Sequence, residues 1–269
     1  MSTETLPSAL TLGAARTRIE LKEFFRLRET VFFTFSFPVI MLFIFGTVFD
    51  TDLAPGVSFS QYFTAGMIAT GIMLTSFQTL AIGIAVERDD GTLKRLRGTP
   101  MPPIAYFLGK IGMVLVTSVV QTAVLLTLGT LMLGLSLPSG PAVWLRFAWV
   151  FGLGIAAGTT LGIAYSSLAR SAKTASAVVS PVVLVLQFIS GVFFVLTDLP
   201  GWMQVIGSLF PLRWLAQGMR SVFLPADFAA AEAGGSWQLL PTALILGGWL
   251  VIGMLLALRT FRWQRYDAG

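Results

Sequence analysis

The sequence predicts an all-α integral membrane protein with six transmembrane helices, and three observations support this fold class. The chain has a mean hydropathy of +0.80. Only 12% of its residues are charged, whereas soluble domains average about 25%. Its apolar residues are concentrated in runs of about 20 residues or more without charge, the length that a helix needs to cross a bilayer. The 269 residues leave no room for a large soluble domain beside these runs.

Residues 1–29 precede the first apolar run, and we expect a cytoplasmic tail with a helix on the membrane surface. A helix over 8–29 places apolar and charged side chains on opposite sides, which is typical of interfacial helices. The apolar side comprises Leu10, Ala14, Leu21, Phe24 and Phe25, and the charged side comprises Lys22, Glu23 and Arg26. A cytosolic tail with no fixed place is the alternative. The first apolar run is too long for a signal peptide.

The six predicted spans follow in order, separated by turn-forming residues. Pro38 is expected to kink the first span, because proline removes a helical hydrogen bond. Pro55 and Gly56 predict a short turn after it, and residues 136–142 predict another after the third span. The spans are 30–49, 61–86, 104–135, 143–168, 174–196 and 238–258.

The segment between the fifth and sixth spans, residues 197–237, is not an ordinary loop. Its apolar residues recur at helical spacing, but the runs are too short to cross a bilayer. We predict two short re-entrant helices, joined at Phe210-Pro211, that dip into or lie against the outer leaflet. A seventh span is the alternative, and Asp198, Arg213 and Arg220 argue against it.

The distribution of basic residues predicts the orientation of the chain. If the N-terminus is cytoplasmic, 15 of the 18 Lys and Arg residues lie on the inner side. The outer side then holds Arg146, Arg213 and Arg220. Because cytoplasmic loops are enriched in basic residues, we expect both termini inside. The net charge of +5 is explained by this bias, so we expect no nucleic-acid partner.

Several groups that membrane enzymes and pumps use are missing from the sequence. It has no cysteine and no histidine, which argues against thiolate metal sites, disulfides and zinc-type intramembrane proteases. No P-loop pattern occurs, and we expect no cofactor in this chain. No carboxylate lies in the middle of a predicted span, which argues against an ion-coupled transporter. If the protein moves a substrate, we expect the energy to come from another subunit.

A short charged segment between the second and third spans, residues 87–103, is the most informative part of the sequence. Residues 87–100 contain seven of the 31 Lys, Arg, Asp and Glu residues. Gly91 permits a sharp turn, and we expect Thr92 to cap a short helix over 93–97. Leu93 and Leu96 would form a small apolar patch between basic residues. The segment is either a docking element for a cytoplasmic partner or a solvated loop.

The order of these features resembles that of a known family. The stretch Glu87-Arg-Asp-Asp-Gly-Thr-Leu-Lys-Arg-Leu-Arg-Gly-Thr-Pro-Met-Pro is similar to the first cytoplasmic loop of ABC-2 type transporter permeases. It is closest to the drug-exporter branch, which includes the daunorubicin-exporter permease. Ser190-Gly-Val-Phe-Phe before Leu199-Pro-Gly-Trp, and Phe210-Pro-Leu before Arg220, resemble the family's fifth span and outer re-entrant helices.

The resemblance implies a type V exporter-like fold and an assembly. Two copies of the permease, six spans each, would form the path for the substrate. Two copies of a separate subunit would bind ATP and Mg beneath them. The residues implied in coupling to that subunit are Glu87, Arg88, Gly91, Thr92, Leu93, Lys94, Leu96 and Arg97. The expected path between the copies, along spans one, two and five, is lined by Phe32, Phe35, Thr75, Phe77, Gln78, Gln187 and Phe188.

The expected function is therefore that of a permease subunit of an ATP-binding cassette exporter in a bacterial cytoplasmic membrane. The cargo would be a drug-like or lipid-like molecule, or alternatively a lipid-linked glycan or polysaccharide. Membrane lipids are expected as further partners of the permease. Two alternatives from other classes are an intramembrane lipid-modifying enzyme and a secondary transporter. For neutral polar residues in the spans, such as Thr75 and Gln187, helix packing is the alternative to ligand binding.

Overall fold

Helices form most of the described chain. The computed structural model describes residues 8–49, 52–133, 135 and 137–263. The helices are α1 (Ala9–Arg26), α2 (Arg28–Val48), α3 (Phe59–Met73), α4 (Leu80–Asp89), α5 (Thr92–Arg97), α6 (Pro103–Leu133), α7 (Pro141–Tyr165), α8 (Ala172–Ile189), α9 (Gly201–Leu209), α10 (Pro211–Phe223) and α11 (Leu239–Thr260). A π-helical segment, Leu74–Thr79, joins α3 to α4. Short 3-10 turns lie at Ser166–Leu168, Leu196–Asp198 and Ala226–Ala231.

Six membrane-spanning helices were predicted, and the structure confirms this fold class. Among the described residues, six helices are long and apolar enough to cross a bilayer. They are Arg28–Val48, Phe59–Asp89, Pro103–Leu133, Pro141–Leu168, Ala172–Ile189 and Leu239–Thr260. Their ends lie within three residues of the expected ends, apart from the end of the fifth span. The chain termini, 1–7 and 264–269, lie outside the described residues.

The fifth span ends at Ile189 instead of continuing to residue 196. The chain turns at Ser190 and at Gly191, which has φ +72°, a conformation that commonly ends helices. Val192 and Phe193 are then buried in the core of the bundle. Hydropathy could not locate this end, because residues buried against protein and residues facing lipid are equally apolar.

The second span is one continuous helical unit, α3 to α4, interrupted by the π-helical segment Leu74–Thr79. This segment packs against α7 at Gly162. A Cβ atom on residue 162 would lie 2.8 Å from the carbonyl oxygen of Ser76 and 3.0 Å from that of Phe77. The two spans therefore approach at this point because residue 162 has no side chain.

We expect Gly162→Val to lower the stability of the purified protein by about 1–3 kcal/mol, because the side chain would push against backbone atoms. Gly152→Val is the matched control: it makes the same change in α7, where a Cβ meets no heavy atom within 4 Å. Thermal unfolding in a mild detergent compares the two. Equal melting temperatures for both variants would contradict the close approach.

The connection after the first span forms a small β-hairpin in its described part. Strands β1 (Asp52–Ala54) and β2 (Val57–Ser58) pair antiparallel. The sequence predicted only a turn here, because strands this short show no alternation of apolar and polar residues. Ser58 then caps α3 in a capping box with Gln61, which fixes the start of the second span.

The segment between the fifth and sixth spans contains the two short helices that were predicted, α9 and α10, joined at Phe210-Pro211. Their position relative to a leaflet stays a prediction. Every residue of α10 is buried, because the helix packs against α3, α7 and α11. It is thus part of the bundle's core.

The burial of α10 includes a complete ion pair between Arg220 and Glu232. Arg220 is 0% exposed, and its guanidinium binds both carboxylate oxygens of Glu232. Arg220 also donates to the carbonyl oxygen of Gly191 at 3.2 Å and lies 4.5 Å from the ring centroid of Tyr62. The hydroxyl of Tyr62 donates to the same carbonyl and accepts from the N–H of Leu196. These contacts join α3, α10 and the turn after α8.

The buried face of α1 differs from the apolar side that the sequence predicted. Leu10 is 73% exposed and Phe25 is 47% exposed, and Ala14 is also exposed. The helix packs on α6, and its buried residues are Gly13, Arg16, Glu20 and Phe24. The projection named Lys22, Glu23 and Arg26 as the charged side and did not include Arg16 and Glu20, which have ionic partners on other helices. Its placement at a membrane surface stays a prediction.

Candidate functional site at the α4–α5 hairpin

The charged segment folds as a helical hairpin, with α4 before the turn and α5 after it. Gly91 forms the turn with φ +78°, a left-handed conformation that glycine adopts without a steric penalty. Thr92 is not the cap that was expected. The carboxylate of Asp90 accepts the Thr92 N–H at 2.8 Å, and the Thr92 hydroxyl accepts from Arg95. Asp90 holds the first turn because its side chain reaches the free backbone donor.

The two faces of α5 have different roles. Leu93 is completely buried in the core, whereas Leu96 is half-buried. The expectation that both leucines form one patch for a partner is therefore wrong, since Leu93 already packs against this chain. The exposed face carries Lys94, Arg95 and Arg97. A partner that meets α5 would meet positive charge.

The base of the hairpin is attached to the connection between the fourth and fifth spans. Arg88 is buried and donates to both the carbonyl and the hydroxyl of Ser166 at 3.0 Å. Asp89 accepts the backbone N–H of Ala172 at 3.0 Å, at the start of α8. A carboxylate is favourable at a helix N-terminus. Arg88 and Asp89 are thus internal anchors that tie α4 to α7 and α8.

Glu87 lies at the centre of a buried charge cluster that joins three helices. Its carboxylate accepts from Lys110 at 2.7 Å, from Tyr106 at 2.7 Å and from Arg16 at 3.3 Å. Glu20 binds the same Lys110 at 2.7 Å and pairs with Arg16 at 2.6 Å. The cluster therefore links α1, α4 and α6 through two acidic and two basic side chains.

The charges of this cluster stabilise one another. Burial disfavours the charged form of Arg16, but Glu20 and Glu87 outweigh it, so the pKa of Arg16 is raised above its ordinary value. The carboxylates of Glu20, Glu23 and Glu87 lie within 4.8 Å of one another. Lys110 already occupies the space between two of them, so the group is an ion-pair network, and a bound metal ion is not needed to balance it.

Sequence reasoning identified Glu87 but missed its partners. One signal was available: Lys110 lies inside a span, where a charged side chain is costly unless it is paired. The pairs Arg16/Glu20 and Tyr106/Lys110 are also each four residues apart, so each shares one side of its helix. Nothing in the linear sequence indicates that these two pairs contact each other in space.

A cavity of about 1350 Å³ lies beside the cluster, between α1, α2, the second span, α6 and α8. Of the residues expected to line a substrate path, Gln78 and Gln187 lie in its wall. Thr75 is instead buried against Ser118, with 2.6 Å between the hydroxyls. The structure thus places both glutamines in the wall of one cavity and gives Thr75 a packing role.

The aromatic path candidates lie outside the wall of this cavity. Phe32 and Phe188 are exposed on the surface of the single chain. Phe35 packs on Phe24 and Phe25. Phe77 is buried and contacts Tyr165, so it packs within its own bundle. A path between two copies stays a prediction for the exposed pair.

Comparison with known proteins places this geometry in a family. The model of the ABC-2 type transporter family matches residues 14–224, from within α1 to the end of α10. The chain belongs to the ABC-2 type transporter family. The matched region contains the α4–α5 hairpin, the charge cluster and the cavity. The ABC-2 assignment makes the chain a transmembrane permease of ABC transporter type, and such permeases generally work with an ATP-binding subunit.

A relative from Bacillus subtilis (strain 168) agrees with this assignment. The protein described as "Putative transport permease YvfS" is 24% identical over 203 residues, which cover 74% of this chain and 80% of the relative. Its description indicates transport without naming a cargo. The ABC-2 family membership likewise leaves the branch and the cargo open.

Proposed function

We propose that the chain is the permease subunit of an ATP-binding cassette exporter, powered by a separate ATPase. The observation that carries this proposal is the construction of the α4–α5 hairpin. Its base is fixed through Arg88, Asp89 and Glu87 to the fourth, fifth and third spans, while α5 exposes three basic side chains. A force applied to α5 would therefore reach several spans together.

The complete assembly would contain two copies of the permease and two copies of the ATP-binding subunit, which would hold ATP and Mg. The chain's resemblance to the daunorubicin-exporter branch supports efflux of a drug-like or lipid-like molecule, as in multidrug export and antibiotic resistance. The location would be a bacterial cytoplasmic membrane, with both termini and α5 inside. Hydrolysis would belong to the partner, and this chain would carry the path.

The first test is to purify the tagged chain from its native membrane in a mild detergent and identify the proteins that accompany it. We expect a P-loop ATPase in equal amount. Lys94→Glu/Arg97→Glu should reduce its recovery about tenfold or more, because reversed charges at an interface cost several kcal/mol. A chain that purifies alone, without nucleotide dependence, would contradict the proposal.

The matched control reverses two exposed basic residues at the same end of the bundle. Arg18 in α1 and Arg259 in the last turn of α11 are exposed, so Arg18→Glu/Arg259→Glu changes the net charge equally. We expect this variant to retain the ATPase. If both double variants lose it equally, general charge and not α5 would determine binding.

A further inference from the structure

We propose that the cavity beside the charge cluster binds a cationic amphiphile, a molecule with a bulky apolar body and a positively charged group. This inference rests on the proposed export function and names the chemical class of its cargo. Three properties of the cavity carry it: the sign of its charge, its apolar wall and an unsatisfied acceptor at its buried side.

The charge of the cavity wall is opposite to that of the whole chain. Five acidic and two basic residues line the cavity, whereas the chain has a net charge of +5. The acidic residues are Glu20, Glu23, Glu29, Glu87 and Asp90, and the basic residues are Arg26 and Lys110. An excess of carboxylates raises the local concentration of cations and disfavours anions such as phospholipid headgroups.

Part of this charge is already balanced within the protein. Lys110 and Arg16 pair with Glu20 and Glu87. Glu23, Glu29 and Asp90 remain in the wall against one basic residue, Arg26, and all four are exposed. This excess of negative charge is therefore accessible from solution, where an entering cation would meet it.

Away from these carboxylates, the wall of the cavity is apolar and partly aromatic. Phe24, Phe33 and Phe37 line it together with Leu74, Ile82 and Leu184. Aromatic faces attract cations as well as apolar groups. The volume of about 1350 Å³ exceeds the range of about 300–1000 Å³ usual for pockets that hold drug-sized ligands. A bulky aromatic or alkyl body therefore fits without displacing a helix.

Gln187 supplies the third property. Its side chain lines the cavity and is 2% exposed. Its Oε1 atom has no hydrogen-bond partner in the part of the chain that the structure describes. A buried acceptor without a donor is costly, and rotation of the amide toward the cavity would let a ligand with an N–H or a positive charge satisfy it. The buried side of the cavity thus prefers the same sign of charge as the exposed side.

A pair of nearly isosteric ions tests the sign of charge directly. Tetraphenylphosphonium and tetraphenylborate share one shape and have opposite charges. We expect the purified chain in non-ionic detergent to bind tetraphenylphosphonium saturably and about tenfold more tightly than tetraphenylborate. Equilibrium dialysis against matched empty micelles measures both affinities and requires neither ATP nor the partner subunit.

Variants of exposed residues locate the binding. Glu23→Gln/Glu29→Gln should weaken tetraphenylphosphonium binding about threefold to tenfold, given the usual strength of exposed charge interactions. Arg26→Gln should strengthen it, because it removes the opposing charge from the same wall. Asp198→Asn/Asp227→Asn is the matched control, since both carboxylates are exposed and lie outside the cavity wall, and it should bind as the parent does.

Equal binding of the two ions, or no saturable binding of either, would overturn the inference. Preference for the cation that survives Glu23→Gln/Glu29→Gln unchanged would also overturn it, because the cation would then bind elsewhere. Neither result bears on the proposed permease role, because that role is tested separately by the recovery of the ATPase. Conversely, a chain that binds the cation in this cavity but recruits no ATPase would retain the site and lose the export mechanism.

Discussion

Replacing Glu232 with glutamine is expected to lower the free energy of unfolding by about 3–5 kcal/mol, the usual cost of removing one partner from a buried ion pair. Arg220 is completely buried, and Glu232 supplies the carboxylate that balances its charge. Glutamine keeps the size and one acceptor but removes that charge. Thermal or SDS-induced unfolding of the purified chain measures the loss.

Two further variants separate the ion pair from its surroundings. Asp227→Asn removes an exposed carboxylate from the same connection and should leave stability within about 0.5 kcal/mol of the parent. Arg220→Met/Glu232→Met removes both charges and should be more stable than Glu232→Gln, since apolar replacement of a whole buried pair is often tolerated. A Glu232→Gln variant as stable as the parent would mean that Arg220 does not depend on this carboxylate.

Glu87→Gln is expected to reduce ATP-driven transport at least about tenfold while the protein still inserts and can be purified. Glu87 contacts Arg16, Tyr106 and Lys110, so α1, α4 and α6 all meet at its carboxylate. Lys110 keeps its contact with Glu20 at 2.7 Å, so the charge left behind is still paired. We therefore expect a smaller loss of stability than for Glu232→Gln. Transport and ATP hydrolysis by the reconstituted complex are the measurements.

Tyr106→Phe distinguishes the charge of Glu87 from its orientation. It deletes the hydrogen bond from the Tyr106 hydroxyl to Glu87 Oε2 and leaves the salt bridges in place, so its effect on transport should be intermediate. Asp52→Asn, at an exposed carboxylate in the hairpin β1–β2, should transport normally. If Glu87→Gln transports at the parental rate, the cluster would be a packing feature without a part in coupling.

Hydropathy and turn residues predicted the features that depend on local sequence. Long uncharged runs located the spans, and Pro211 located the junction of α9 and α10. Gly91 was correctly assigned to the turn of the charged hairpin. In each case, a single residue or a single run determines the conformation.

The features that failed depend on which residues meet in space. Arg16 and Glu20 were not singled out, because a helical projection contains no information about partners on α4 and α6. Leu93 was expected to face a partner, because the linear sequence does not show that this residue packs against its own chain. The end of the fifth span at Ile189 was missed because Val192 and Phe193 are as apolar as a continuing helix.

Arg220 and Glu232 belong to one connection and are 12 residues apart. An ion pair drawn from distant helices would have to wait until both had been synthesised. This pair can form as soon as its own connection has been made, before α11 has left the ribosome. Arg220 can therefore enter the growing bundle with its charge already balanced, and α11, which packs on α10, closes over the pair afterwards.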